Sequence, residues 1–129
     1  MYLEGRGFEI VERNWSCRVG ELDIIAFDGE TLVFIEVKSR YKAPGAERYL
    51  FETITPRKRH KLRILAEIYS TQNRMRISSW LKARAKRSGQ PRIASKPTGS
   101  AVRIDVVGVL LGRELNPGNA EIRHLLAAI

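Results

Sequence analysis

Cysteine is all but missing from this chain: Cys17 is the only one in 129 residues, so no disulfide can staple the fold from within. With only two histidines besides, a Cys/His zinc site would need ligands from another chain, which excludes the small zinc-stapled classes. Long apolar runs are absent too. No stretch approaches the ~20 residues of a membrane-spanning helix, and the residues between Met1 and Phe8 form no signal-peptide core. The expectation is a cytoplasmic protein without a membrane span. The length excludes two large domains, yet it suffices for one core held without disulfide or metal. Acidic residues are lacking in one segment only. Residues 68 to 104 contain none, against nine bases (Arg74, Arg76, Lys82, Arg84, Lys86, Arg87, Arg92, Lys96, Arg103), while the remainder balances at 14 bases and 14 acids. That segment holds the whole excess of +9, which favours an acidic partner such as nucleic acid, an anionic membrane surface or an acidic protein.

What is present is the composition of a folded protein, 43% apolar and 29% charged. Phe8 to Asn14 alternates loosely and predicts a strand. Glu21 to Phe27 and Thr31 to Arg40 are rich in β-branched and apolar residues, and the Asp28-Gly29 dipeptide between them suits a tight turn, so a β-hairpin is predicted. The second arm, Leu32-Val33-Phe34-Ile35, is apolar on both faces until Glu36, as expected of a strand in the middle of a sheet. After a loop with Pro44 and Gly45, Thr55-Pro56 supplies a cap and a proline at the first helical position. Leu62, Leu65, Ala66 and Tyr69 then form a buried stripe at helical spacing. Ile77, Trp80, Leu81 and Ala85 predict a further helix closing at Ser88-Gly89, followed by a mobile loop over 89–100. Val102 to Leu111 reads as a strand. Beyond the turn at Asn116-Pro117-Gly118, the last segment fits strand or helix equally.

The chemistry concentrates in the hairpin. Asp23 lies in one arm, and Glu36 and Lys38, two apart in the other, share a face. Two acids on adjacent strands can hold one Mg²⁺, which takes one or two carboxylates, waters and a substrate phosphate. A lysine beside it can stabilise developing charge or orient water. An ordinary Glu-X-Lys is merely a solvated ion pair, but Glu36 follows four apolar residues, and burying an unpaired carboxylate costs several kcal/mol.

The runs Gly7-Phe8-Glu9-Ile10-Val11-Glu12-Arg13-Asn14, Gly20-Glu21-Leu22-Asp23-Ile24-Ile25-Ala26 and Leu32-Val33-Phe34-Ile35-Glu36-Val37-Lys38-Ser39-Arg40 resemble the YraN family of predicted endonucleases. The similarity continues through Lys58, Leu62, Ala66, Tyr69 and Arg103-Ile104-Asp105-Val106-Val107. That family is grouped with the PD-(D/E)XK, restriction-endonuclease-like nucleases, and its motifs resemble those of archaeal Holliday-junction resolvases. The resemblance implies an α/β three-layer fold, a central mixed β-sheet flanked by helices; the chain reads as a single domain over residues 1–129, and its basic insertion at about 74–100 departs from the family, whose members usually pass quickly from helix to strand. The resemblance also implies that Asp23 is the first metal-binding acid, Glu36 the second and Lys38 the catalytic lysine, with Val37 lending its carbonyl to Mg²⁺ or Mn²⁺. Family members usually carry a further helix with a Gly-Glu pair upstream of the Tyr-Leu that Tyr2-Leu3 match; that glutamate has no counterpart here.

The combined reading is a metal-dependent endonuclease acting on branched or structured DNA, and a homodimer is compatible with it. Arg57, Lys58, Arg59 and Lys61 on the first long helix, and Arg84, Lys86 and Arg87 in the basic segment, are the candidate phosphate contacts. Two rivals stand beside it. One is a nucleic-acid-binding module that keeps the fold without cutting; the other is an adaptor that inserts Ile77, Trp80 and Leu81 into a membrane interface. Asp105 is expected to be a satisfied structural acid, and Trp15 and Trp80 core residues. Glu21 is expected to pair with an arginine, His60 and His124 to lie on the surface, and Cys17 to be a small, partly buried side chain.

Overall fold

The hairpin turns at Gly29 with φ +62°, a value that glycine adopts without strain. Asp28 pairs with Thr31, so the two loop residues are Gly29 and Glu30, one step further along than the dipeptide predicted. The structure, a computed structural model, describes residues 2–88, 102–112, 120–126 and 129. The elements run α1 (Tyr2–Gly5), β1 (Phe8–Ser16), β2 (Glu21–Asp28), β3 (Thr31–Tyr41), α2 (Ala46–Glu52), α3 (Pro56–Gln72), α4 (Arg74–Ser88), β4 (Val102–Leu111) and β5 (Glu121–Leu125).

The strands form one mixed sheet in the order β1-β2-β3-β4-β5, antiparallel except for the β3–β4 pair. A parallel pair needs a crossover, and the crossover here includes α2, α3 and α4. β3 therefore lies mid-sheet, as its apolar run predicts. On one face, Leu22, Ile25, Phe27, Leu32, Phe34 and Ile104 pack with Leu62, Leu65, Ala66 and Tyr69 of α3 and with Ile77 of α4. Each of these large side chains contributes roughly 1.5–3 kcal/mol by leaving water. On the other face, Ala26, Val33, Ile35 and Val107 cluster with Leu3 of α1 and with Phe8. The result is an α/β fold of three layers, a central mixed sheet flanked by helices.

Two irregularities matter for function. β1 and β2 keep register from Phe8↔Asp28 to Ile10↔Ala26 and then slip by one residue, resuming at Glu12↔Ile25. The slip lets successive residues serve one side: Val11 packs against the α3 core while Glu12 accepts a 2.8 Å hydrogen bond from the Tyr69 hydroxyl. Burial and that bond push the Tyr69 phenol well above its ordinary pKa, so it remains a donor. In β2 the alternation also breaks, because Leu22 joins the same core as Ile25 and Phe27, while the ladder to β3 ends at Ile24↔Ile35.

α3 begins as its sequence predicts. The Thr55 side chain accepts from the Lys58 backbone N–H at 3.2 Å, and Pro56 opens the first turn. Only Asn73 separates α3 from α4; its N–H reaches the Tyr69 carbonyl and its own carbonyl accepts from Ile77, both at 2.9 Å. The short helices α1 and α2 went unanticipated, since four and seven residues are too few to display a helical period. β4 has the predicted bounds, and the last segment is resolved in favour of a strand, β5. The expected loop at 89–100 and the turn at Asn116-Pro117-Gly118 lie outside the described residues.

Candidate active site

Asp23, Glu36 and Lys38 come together where the β2–β3 ladder stops. Beyond Ile24↔Ile35 no backbone pairing joins the two strands; instead the Asp23 carboxylate accepts the backbone N–H of Val37 at 2.8 Å. A strand residue directs its N–H and C=O to the same neighbour, so the Val37 carbonyl also faces this gap. Glu36 and Lys38, on one face of β3, pair at 3.4 Å with side chains only 19% and 26% exposed. The break in the β2 alternation is what frees Asp23 from a regular ladder position and lets it reach across.

Burial raises the Glu36 pKa, the neighbouring charge of Asp23 raises it further, and Lys38 opposes both. The Lys38 ammonium pairs with Glu36, while the two carboxylates repel each other. Such a pair is a hard, anionic oxygen set, and a divalent cation would relieve the repulsion that burial and proximity create. Asp23, Glu36 and the Val37 carbonyl thus fit Mg²⁺ or Mn²⁺ in donor chemistry. No group of three or more His, Cys, Asp or Glu gathers among the described residues, so a metal would rest on two carboxylates. A groove of about 680 Å³ lies elsewhere, lined by Lys42, Glu47, Phe51, Glu121 and Arg123 among others. Its charges are already matched, Lys42 to Glu121 at 3.3 Å and Arg123 to Glu47 and Glu121 at 3.1 and 3.0 Å.

The candidate phosphate contacts separate into two groups. Arg57, Lys58, Arg59 and Lys61 are all exposed on the first turns of α3. Lys61 lies over Gly20, where an added Cβ would come within 2.8 Å of its Cε, and Gly20 stands three residues before Asp23, about 10 Å along the chain. Arg84 lies at the opposite end of the sheet. It pairs with Glu9, donates to the Gly29 carbonyl at 3.4 Å and covers the Phe27 ring at 4.3 Å. Gly29 is about 20 Å from Asp23 along β2. Arg84 is a packing residue with its charge engaged; Arg87 is exposed beside Glu9 at 3.7 Å, and Lys86 is exposed. The membrane-adaptor rival loses its apolar face here, because Ile77 is buried and Trp80 and Leu81 pack against the core.

Asp105 is the satisfied structural acid expected. Fully buried, it accepts two bonds from Arg103 at 2.8 and 3.0 Å and meets His124 Nε2 at 2.9 Å. His124, expected on the surface, is instead packed between Tyr2, Phe8 and Asp105, its side chain 5% exposed. Position in an unassigned segment concealed it; only the β4–β5 pairing brings it under Asp105. Trp15 and Trp80 do pack on the core, edge to face with Tyr69 and Phe27, and Cys17 is partly buried. Glu21 is exposed without an ion pair among the described residues, so the expected arginine partner does not appear there. His60 is exposed, as expected.

Residues 1–109 match a family model described as "Uncharacterised protein family UPF0102". The chain belongs to UPF0102, the YraN family. It is 44% identical over 115 residues to a UPF0102 protein of Streptomyces griseus, covering 89% of this chain and 77% of that protein. It is also 37% identical over 126 residues to one from Mycolicibacterium vanbaalenii, covering 96% and 80%. A third, from Pelotomaculum thermopropionicum, is 41% identical over 114 residues, covering 88% and 74%. The family match spans Asp23, Glu36 and Lys38 as well as the late strand with Asp105. Among the described residues, no helix is long and apolar enough to cross a membrane.

Proposed function

We propose that this protein is a metal-dependent endonuclease hydrolysing phosphodiester bonds in branched or otherwise structured DNA. The observation that carries the reading is the convergence of Asp23 and Glu36 at the end of the β2–β3 ladder, with Lys38 at 3.4 Å from Glu36. Asp23, Glu36 and the Val37 carbonyl would hold Mg²⁺ or Mn²⁺, and the bound ion would supply an activated water and neutralise phosphate charge. The chain's own contribution is positional. The Val37 N–H fixes the Asp23 carboxylate, and the apolar run before Glu36 keeps that carboxylate poorly hydrated. The Lys38 ammonium is available to the phosphoryl oxygens as one P–O bond forms to water and another breaks to release the sugar oxygen, which takes up a proton. Lys61, with Arg57, Lys58 and Arg59, supplies positive potential beside this end of the sheet for the substrate backbone.

Lys38→Ala tests the assignment. Cleavage of flapped and four-way DNA in Mn²⁺ should fall by at least 100-fold, the scale of losing a group that acts in the transition state. DNA affinity should change little, because most of it rests on other bases. A wild-type protein that binds these substrates and cuts none of them would overturn the nuclease reading in favour of a binding module. Cleavage unchanged in Lys38→Ala would remove that lysine from the chemistry.

A further inference from the structure

Beyond Glu36 and Lys38, the same face of β3 continues to Arg40. Its guanidinium carbon sits 3.9 Å from the centroid of the Tyr49 ring on α2, the shortest of the cation–ring contacts among the described residues. The other pairs include structural ones: Arg84 and Arg103 are also tied to acids. Arg40 differs. It is exposed and has no ion-pair partner among the described residues, and Tyr49 is 49% exposed. Neighbouring charges on α2 are already matched, Arg48 to Glu52 at 2.7 Å and Glu47 to Arg123. An exposed ring held beside an uncommitted guanidinium adds little to the core, yet it offers a flat surface and unused N–H donors.

Stacking on an aromatic ring or a guanidinium plane suits a nucleobase whatever its sequence, but only one that is not already stacked within a duplex. Glu36 and Arg40 are four residues apart on one strand face, about 13 Å, a span of a few nucleotides. Resting on the reading of the acid pair as a nuclease centre, we propose that Tyr49 and Arg40 form a platform for an unpaired nucleobase of the DNA, selecting substrates with a single-stranded segment next to the cleavage point. Tyr49 would supply the stacking face and Arg40 a phosphate or base-edge contact.

The test is binding in EDTA, where no cutting occurs, read by fluorescence anisotropy with labelled single-stranded, flapped and blunt duplex oligonucleotides of equal length. Tyr49→Ala should weaken single-stranded and flapped DNA about tenfold, the scale of losing one stacked base, and leave the blunt duplex within twofold. Tyr49→Phe should retain the wild-type preference, and Arg40→Gln should reproduce part of the loss. Equal weakening of all three substrates by Tyr49→Ala, no weakening, or a wild type that binds no single-stranded DNA would each overturn the platform. Stacking that depends on Tyr49 in a protein that cleaves nothing with Mn²⁺ would leave the platform standing and remove the nuclease. Metal-dependent cleavage with no contribution from Tyr49 would do the reverse.

Discussion

Two acid clusters sit back to back across the same sheet. Asp105 pairs with Ile35 on β3, and the next pair joins Glu36 to Val106, yet the two carboxylates face opposite layers. Asp105 has no exposed surface and is met by Arg103 and His124, with Asp28 sharing the arginine at 2.9 Å. Here cations and donors match the acids, and the cluster ties β2, β4 and β5 together. Asp23 and Glu36 have one lysine and one backbone N–H between them, and Glu36 remains partly exposed. Asp105 is enclosed by side-chain partners on strands of its own layer, whereas the Asp23 and Glu36 carboxylates stand at the end of a ladder with oxygens open to a further partner. Burial alone does not mark a reactive carboxylate, since the more buried acid is the structural one. The number of side-chain partners that enclose it does.

The comparison is broken most directly by removing each acid. Asp105→Ala removes the fully buried acid that Arg103 and His124 share and should cost about 3–5 kcal/mol in urea denaturation, whereas Glu36→Gln should leave stability unchanged or higher at neutral pH. Equal losses would make both clusters structural. Metal binding is the second test: Asp23→Asn should weaken Mn²⁺ at least tenfold by calorimetry, as an amide is a poorer ligand for a hard cation, and identical titrations would remove Asp23 from the ligand set. A smaller effect concerns pH. Burial and Asp23 raise the Glu36 pKa above its usual 4.5, so the folded state takes up this proton more readily than the unfolded one. The resulting stability is fully present below the unfolded pKa and is lost as pH rises through the folded value. Glu36→Gln should therefore flatten the fall in stability as pH rises above about 4.5. Finally, replacing Lys58 and Lys61 together with alanine should reduce the salt dependence of duplex binding by nearly two in the log–log slope. Arg84→Ala should leave that slope alone and lower stability instead.

Much of the sheet was legible in the sequence because its signals are local. The strand from Thr31 is apolar on both faces as far as Glu36, Asp28-Gly29 marks a turn, and Thr55-Pro56 starts the helix that carries the buried stripe from Leu62 to Tyr69. The acid pair was legible for a similar reason, as Glu36 interrupts an apolar run. What the sequence could not display was the break in alternation between Leu22 and Ile25, which decides how Asp23 reaches Val37. Long-range contacts were equally hidden. His124 becomes buried only because β5 lies beside β4, and Arg84 loses its freedom only because α4 carries it to Glu9, 75 residues away in the chain. A basic stretch reads as a binding surface until packing shows which of its charges are already spent.

Among the described residues, β1 closes one side of the sheet and leaves a row of backbone groups without a neighbouring strand. A straight edge of that kind invites another chain to add itself, the first step of runaway strand addition. The slip at Val11 and the left-handed Asn14, φ +53°, spoil the template by bending the edge twice within a few residues. Glu9 and Arg13, exposed along the same strand, add charge to the obstacle. The bulge that brings Glu12 to Tyr69 thus also works against strand addition, by denying an incoming strand a regular register.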